Sequence, residues 1–126
     1  TSEDNVFTAL KKIHKLGPKH VVIKQGSHGS ILSGPQGLFI CPAYPLRKVV
    51  DPTGAGDSFV GGMMGYLAER DSFEPKVLKE AMAYGILVAS FTVEDFSLDR
   101  LRRVTWNEIE GRFRTFQALT AFEGLD

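Results

Sequence analysis

The stretch Val49-Val50-Asp51-Pro52-Thr53-Gly54-Ala55-Gly56-Asp57-Ser58-Phe59-Val60-Gly61-Gly62 leads from an extended segment, through a glycine-rich turn, directly into a helix. Pro52, Gly54 and Gly56 mark the turn, and the spacing of Phe59, Met63, Tyr66 and Leu67 marks the helix. The first turn of a helix carries unpaired backbone N–H groups and the positive end of the macrodipole, so it attracts phosphate or another anion. Glycine at 54 and 56 keeps side chains away from those amides, and Asp57 then stands at the mouth of an anion site. A carboxylate at a helix start is commonly a cap. A cap, however, needs neither two glycines before it nor a second acid, Asp51, six residues earlier. With a terminal phosphoryl group on the amides of residues 54–57, Asp57 can take the proton of an attacking hydroxyl, which is phosphoryl transfer by positioning and charge stabilisation. Two rival phosphate motifs are excluded. No Gly-Lys pair exists for a P-loop, and the third glycine of a dinucleotide fingerprint is replaced by Phe59.

Outward from this loop the chain alternates helix and strand signals. Upstream, Val6, Phe7, Leu10, Ile13 and Leu16 form a helical stripe over residues 3–16, with Ser2 as the expected N-cap and Gly17-Pro18 as the stop. His20 to Lys24 is short and β-branched and reads as a buried strand, followed by a turn at Gly26-Ser27-His28-Gly29. The runs 30–33 and 38–41 flank Gly34-Pro35-Gln36-Gly37 and predict an antiparallel hairpin with a longer loop. Downstream, Gly61, Gly62 and Gly65 each cost a helix about 1 kcal/mol, so all three are expected to face a closely packed neighbour. A helix from about Pro75 to Val93 should bury Val77, Leu78, Ala81, Met82, Gly85, Val88, Ala89 and Thr92. Thr105-Trp106-Asn107-Glu108 matches a capping box, with Trp106 stapling the last helix, whose buried stripe is Ile109, Phe113, Phe116 and Leu119.

The 126 residues, 43% hydrophobic and 24% charged, suit one compact domain and are read as a single unit over residues 1–126. Fifteen basic residues balance fifteen acidic ones, which argues against nucleic acid or an anionic membrane as partner. No apolar run approaches the roughly 20 residues of a membrane span, and the polar start TSEDN is unlike a secretory signal. The single Cys41 cannot form an intrachain disulfide, so a cytoplasmic location is expected. His14, His20 and His28 are too scattered for a zinc site. Arg100, Arg102 and Arg103 beside Asp99 read as a solvated flank.

The run Asp51 to Phe59 closely resembles the second signature of ribokinase-like sugar kinases, the phosphofructokinase-B type. The segment Val21 to Gly29 is similar to that family's strand and Gly-x-x-Gly turn beside ATP. The resemblance implies an α/β fold, the C-terminal portion of a three-layer αβα sandwich. It implies Asp57 as catalytic base and the amides of Gly54, Ala55 and Gly56 as anion hole. Gly26 and Gly29 would admit the nucleotide backbone, with Lys24 near the phosphates, and Tyr84 and Val88 beside the adenine. ATP with Mg²⁺ is the implied donor. Asp51 and Thr53 match positions that in many members hold a monovalent cation such as K⁺. The loop that often completes that cation site reads Val93-Glu94-Asp95-Phe96-Ser97, without the usual glycine.

Family members are much longer, so the resemblance also implies that the substrate-binding and lid portion lies outside this chain and that the isolated chain is inactive. An unpaired sheet edge would then favour self-association as a homodimer. The acceptor implied is a hydroxymethyl group of a small sugar. A nucleoside kinase is the alternative of the same superfamily, and a non-catalytic nucleotide-binding fragment is the alternative of a different class.

Overall fold

A computed structural model describes residues 5–46, 54–94, 103–122 and 124. Ser2, Val49 to Thr53, Asp95 to Ser97, Asp99, Arg100 and Arg102 lie outside the described residues. The chain forms two compact units, Thr1–Ala43 and Tyr44–Asp126.

In the first unit, α1 (Val6–Lys15) precedes the strands β1 (Val21–Lys24), β2 (Ser30–Gly34) and β3 (Gly37–Cys41), with a 3₁₀ turn at Gly26–His28. Asn5 caps α1, its side-chain oxygen accepting the amides of Phe7 and Thr8. The helix therefore begins at Val6, the first residue of the apolar stripe, and not at residue 3, because the Asn5 side chain offers the backbone a ready cap. Lys12 and Lys15 occupy its last turn, where positive charge meets the negative end of the dipole. The strands make an antiparallel meander in the order β1-β2-β3, with Val21 opposite Ser33 and Ile31 opposite Ile40.

The β2–β3 loop is tighter than expected. Gly34 pairs with Gly37, leaving only Pro35 and Gln36 between the strands. Pro35 cannot adopt the positive φ of a primed hairpin turn, and Gly37 takes it instead at +109°. The His14 ring bridges the end of α1 and the sheet: Nδ1 donates to the Pro18 carbonyl at 2.9 Å, leaving Nε2 2.9 Å from Ser33 Oγ to accept its hydroxyl. That pairing gives His14 a structural role.

Cys41 is 2% exposed. Burial pushes its thiol pKa up to about 12. The stability gained by keeping the thiol neutral is fully present below pH 9 and is lost as pH rises toward 12. Native protein at pH 8 is expected to leave Cys41 unmodified by a chromogenic disulfide reagent, and denatured protein to react with one equivalent. Rapid native labelling would contradict the burial of its side chain.

The second unit contains α2 (Ala55–Arg70), α3 (Pro75–Val93) and α4 (Trp106–Thr120). The α2–α3 turn uses Asp71 at φ +49°, a left-handed position that Asp tolerates, and then Pro75 at the start of α3, where its missing N–H is no loss. Gly85 and Gly62 set the helix separation. A Cβ on Gly85 would lie 2.7 Å from the Phe59 carbonyl oxygen, and one on Gly62 would lie 3.1 Å from Val88 Cβ. Gly61 and Gly65 face open space, so of Gly61, Gly62 and Gly65 only Gly62 fits the expected close packing.

Burial on α3 is broader than one face: Ile86, Leu87, Ser90 and Phe91 join Leu78, Ala81, Met82, Gly85 and Thr92. The cause is that α3 lies between α2 and α4. Arg112 of α4 stacks over Phe91 at 3.7 Å and Tyr44 at 4.9 Å, donates to Ser90 Oγ at 2.8 Å, and pairs with Glu94 at 2.7 Å. Thr105 caps α4 as expected, accepting the Glu108 amide at 3.2 Å. Trp106 does not staple the helix. It is 63% exposed and donates from Nε1 to Glu110 one turn on, and of the expected stripe only Phe116 is buried.

Candidate active site

Helix α2 begins at Ala55, ahead of Phe59, the first residue of its apolar spacing, because Gly54 rather than a side chain caps it. Gly54 sits at φ +84°, a left-handed conformation that residues with a side chain rarely adopt, and offers no capping oxygen. Its carbonyl accepts the Ser58 amide at 2.9 Å and closes the first turn. The amides of Ala55, Gly56 and Asp57 precede the first intrahelical donor, and no described residue accepts from them. Three donors and the helix dipole thus converge on one end of a sixteen-residue helix. Gly54, Ala55 and Gly56 are half-buried and Asp57 is exposed, so this turn opens to solvent rather than into packing. Asp57 is the third helical residue, beside the donors and not in the capping position.

The turn is braced from beneath. Thr92 of α3, 1% exposed, donates from Oγ1 to Ser58 Oγ at 2.8 Å. The Thr92 methyl would lie 3.9 Å from a Cβ placed on Gly54. Nothing in the sequence flagged Ser58 and Thr92 as partners.

The other expected site residues fall as follows. Gly26 starts the 3₁₀ turn at φ +59° with open space where a side chain would project. Gly29, at φ +92°, is held for a packing reason: a Cβ there would lie 2.3 Å from the Cys41 carbonyl oxygen. Gln25 donates to the Gly29 carbonyl at 2.7 Å, which closes the turn. Lys24 is exposed at the end of β1. Asp51 and Thr53 lie outside the described residues.

Tyr84 lines a cleft of about 350 Å³ between α2, α3 and α4, together with Tyr66, Arg70, Glu80, Trp106 and Phe113. Val88 is not part of that lining and lies instead against Gly62. Many of the cleft's polar groups satisfy one another. Tyr66 donates to Glu80, Arg70 lies over the Tyr66 ring at 5.2 Å, and Trp106 donates to Glu110. Burial and the Glu80 carboxylate together raise the Tyr66 pKa, which keeps the phenol a donor. Among the described residues no group of His, Cys, Asp and Glu is arranged to hold a metal ion, and no helix is long and apolar enough to cross a membrane.

A family model described as pfkB family carbohydrate kinase matches residues 1–101. The chain belongs to that family. Among pfkB relatives it is 36% identical over 98 residues to a ribokinase of Arabidopsis thaliana, covering 72% of this chain and 23% of that protein. It is 42% identical over 84 residues to a nucleoside kinase of Methanothermobacter thermautotrophicus, covering 66% and 25%. The crystal structure of aminoimidazole riboside kinase from Salmonella enterica, complexed with aminoimidazole riboside and an ATP analog, matches with a TM-score of 0.77 at 26% identity. That match covers 90% of this chain and 37% of the other. The fold is accordingly the ribokinase-like α/β fold, of which the described helices and small antiparallel sheet are a part. The chain spans about a quarter of the length of these two curated relatives.

Proposed function

We propose that residues 1–126 are the C-terminal, nucleotide-binding and catalytic part of an ATP-dependent kinase that phosphorylates a hydroxymethyl group of a small sugar. The open first turn of α2, with three amides from which no described residue accepts beside the exposed Asp57, carries this reading. The γ-phosphoryl group of ATP rests on the amides of Gly54, Ala55, Gly56 and Asp57, the anion hole at the start of α2. Asp57 accepts the proton of the sugar hydroxyl as its oxygen forms a bond to phosphorus and the bond to the ADP oxygen breaks. The amides meet the charge on the transferring group without reorganising, because the helix already fixes them.

Mg²⁺ bound to ATP would neutralise phosphate charge. It would be held mainly by phosphate oxygens and water. Gly26 and Gly29 shape the turn that borders the nucleotide, Lys24 adds positive charge near the phosphates, and Tyr84 and Val88 border the adenine. Asp51 and Thr53 hold a monovalent cation such as K⁺ behind the anion hole. The enzyme works in the cytoplasm, and residues 1–126 by themselves, with a sheet edge left without its partner, are expected to self-associate as a homodimer. The nucleoside kinase and riboside kinase among its relatives support a ribonucleoside as the second candidate acceptor.

The full-length protein, given Mg-ATP with a panel of pentoses, hexoses and ribonucleosides, is expected to release ADP with a free sugar. Turnover confined to nucleosides would replace the sugar assignment, and binding of ATP without turnover on any acceptor would leave only a nucleotide-binding module. The turn at Gly26 has its own test. Asn tolerates its φ of +59° but fills the open space, so Gly26→Asn is expected to weaken ATP about tenfold by calorimetry, the effect of about 1.4 kcal/mol. Unchanged affinity would remove this turn from the nucleotide site.

A further inference from the structure

We infer that Thr92 is a positioning residue for phosphoryl transfer, acting through Ser58 to fix the turn that carries Asp57; the inference rests on the function proposed above. Thr92 faces the turn at both ends. Its methyl would lie 3.9 Å from a Cβ placed on Gly54, the helix cap, and its hydroxyl donates to Ser58, the residue just after Asp57. The anion hole and the base lie between these two positions.

A threonine near the end of a helix usually satisfies its hydroxyl on the carbonyl four residues back. That acceptor is present here, since Val88 O lies 3.3 Å from Thr92 Oγ1, yet the shorter contact, 2.8 Å, crosses to Ser58 on another helix. Packing alone would be met by valine, which has the same shape without the hydroxyl. Gly62 and Gly85 make the reach possible, because the close approach of α2 and α3 brings Thr92 within hydrogen-bond distance of a residue 34 positions away in sequence. At the other side of α3, Arg112 ties Ser90 and Glu94 to α4, which holds the segment bearing Thr92 in place. Misplacing reacting groups by a fraction of an ångström lowers turnover without weakening ground-state binding.

The test uses the full-length enzyme. Thr92→Val is expected to lower kcat about three- to tenfold, the effect of one lost hydrogen bond, with KM for ATP and acceptor within about twofold. Thr92→Ser, which keeps the hydroxyl, should restore at least about half of the parent kcat, since the positioning bond is what it retains. Ser58→Ala should match Thr92→Val, and the double variant should be no worse than either, because both remove one bond. In an Asp57→Asn background, Thr92→Val should cause no further loss of the residual rate.

A parent-like kcat for Thr92→Val, equal losses in the valine and serine variants, or additive losses in the double variant would each overturn the inference. Further loss in the Asp57→Asn background would do the same. Should Thr92→Val fail to fold, Ser58→Ala decides alone, since it leaves the Thr92 hydroxyl the Val88 carbonyl, and an unchanged kcat there rejects the role. Full turnover by Asp57→Asn would instead remove the proposed base itself. An inactive Asp57→Asn with an unaffected Thr92→Val removes only the inference about Thr92.

Discussion

In the full-length enzyme, Asp57→Asn is expected to lower kcat at least about 100-fold while leaving the Kd for ATP within about twofold. Asparagine matches aspartate in shape and can occupy the same third position of α2, so the turn and its amides persist. What disappears is the proton acceptor, and with it the step that makes the hydroxyl oxygen nucleophilic. A 100-fold loss corresponds to about 2.7 kcal/mol in the barrier. The stability change is far smaller: a carboxylate in the first helical turn contributes about 0.3–1 kcal/mol through the dipole, and Asp57 is exposed and bonded to no described side chain. The melting temperature should therefore fall only slightly, which separates lost chemistry from lost fold. ATP should bind as well as before, since removing a negative charge beside the phosphates relieves repulsion while the three amides stay. Normal turnover by the variant would remove Asp57 from the mechanism, and loss of ATP binding in step with kcat would point to a collapsed turn.

How far the sequence foretold this arrangement differs from element to element, for physical reasons. Helix α3 was legible from Pro75 to Val93 because proline at a helix start and an unbroken apolar pattern are local signals. Its full burial was not: a period-based reading assigns one buried face, whereas α3 is covered from two directions, and Leu87 and Phe91 meet partners that only the tertiary fold supplies. The glycine-rich turn was legible as the entry to a helix, since backbone geometry there follows from residue type. Its start at Ala55 was less so, because Gly54 caps through its own φ rather than through a recognisable side chain. The cap of α1 was displaced because Asn5, an Asx residue inside the expected stretch, accepts the amides of Phe7 and Thr8. Trp106 misled because bulk beside a capping box suggests packing, while a partly exposed indole can instead donate along the helix to Glu110. The Ser58–Thr92 pair had no local signature at all, since two small hydroxyl residues 34 positions apart look ordinary until helix packing joins them.

The glycines on the α2–α3 pair give the sharpest contrast between composition and context. Adding one methyl group to any helical glycine gains about 1 kcal/mol of helix propensity. At Gly65 nothing lies within 4 Å of the new Cβ, so Gly65→Ala is expected to raise the melting temperature of the chain, with a stability gain of at most about 1 kcal/mol. At Gly85 the same methyl would meet the Phe59 carbonyl oxygen at 2.7 Å, the Phe59 ring at 3.1 Å and Met63 Cβ at 3.3 Å. A backbone oxygen cannot rotate aside as the tip of a flexible side chain can, so α2 and α3 must separate. Overpacking of this kind costs about 1–3 kcal/mol and occasionally more. Because the obstruction here is backbone, the cost should lie at the upper end and outweigh the propensity gain. Gly85→Ala is therefore expected to be destabilised by about 2 kcal/mol net in urea unfolding. The separation would also lengthen the reach from Thr92 to Ser58, so kcat in the full-length enzyme should fall further than the loss of stability alone would cause. Equal stabilisation by alanine at 65 and 85 would mean that the helices do not approach through Gly85, and the bracing of the Asp57 turn would lose its geometric basis.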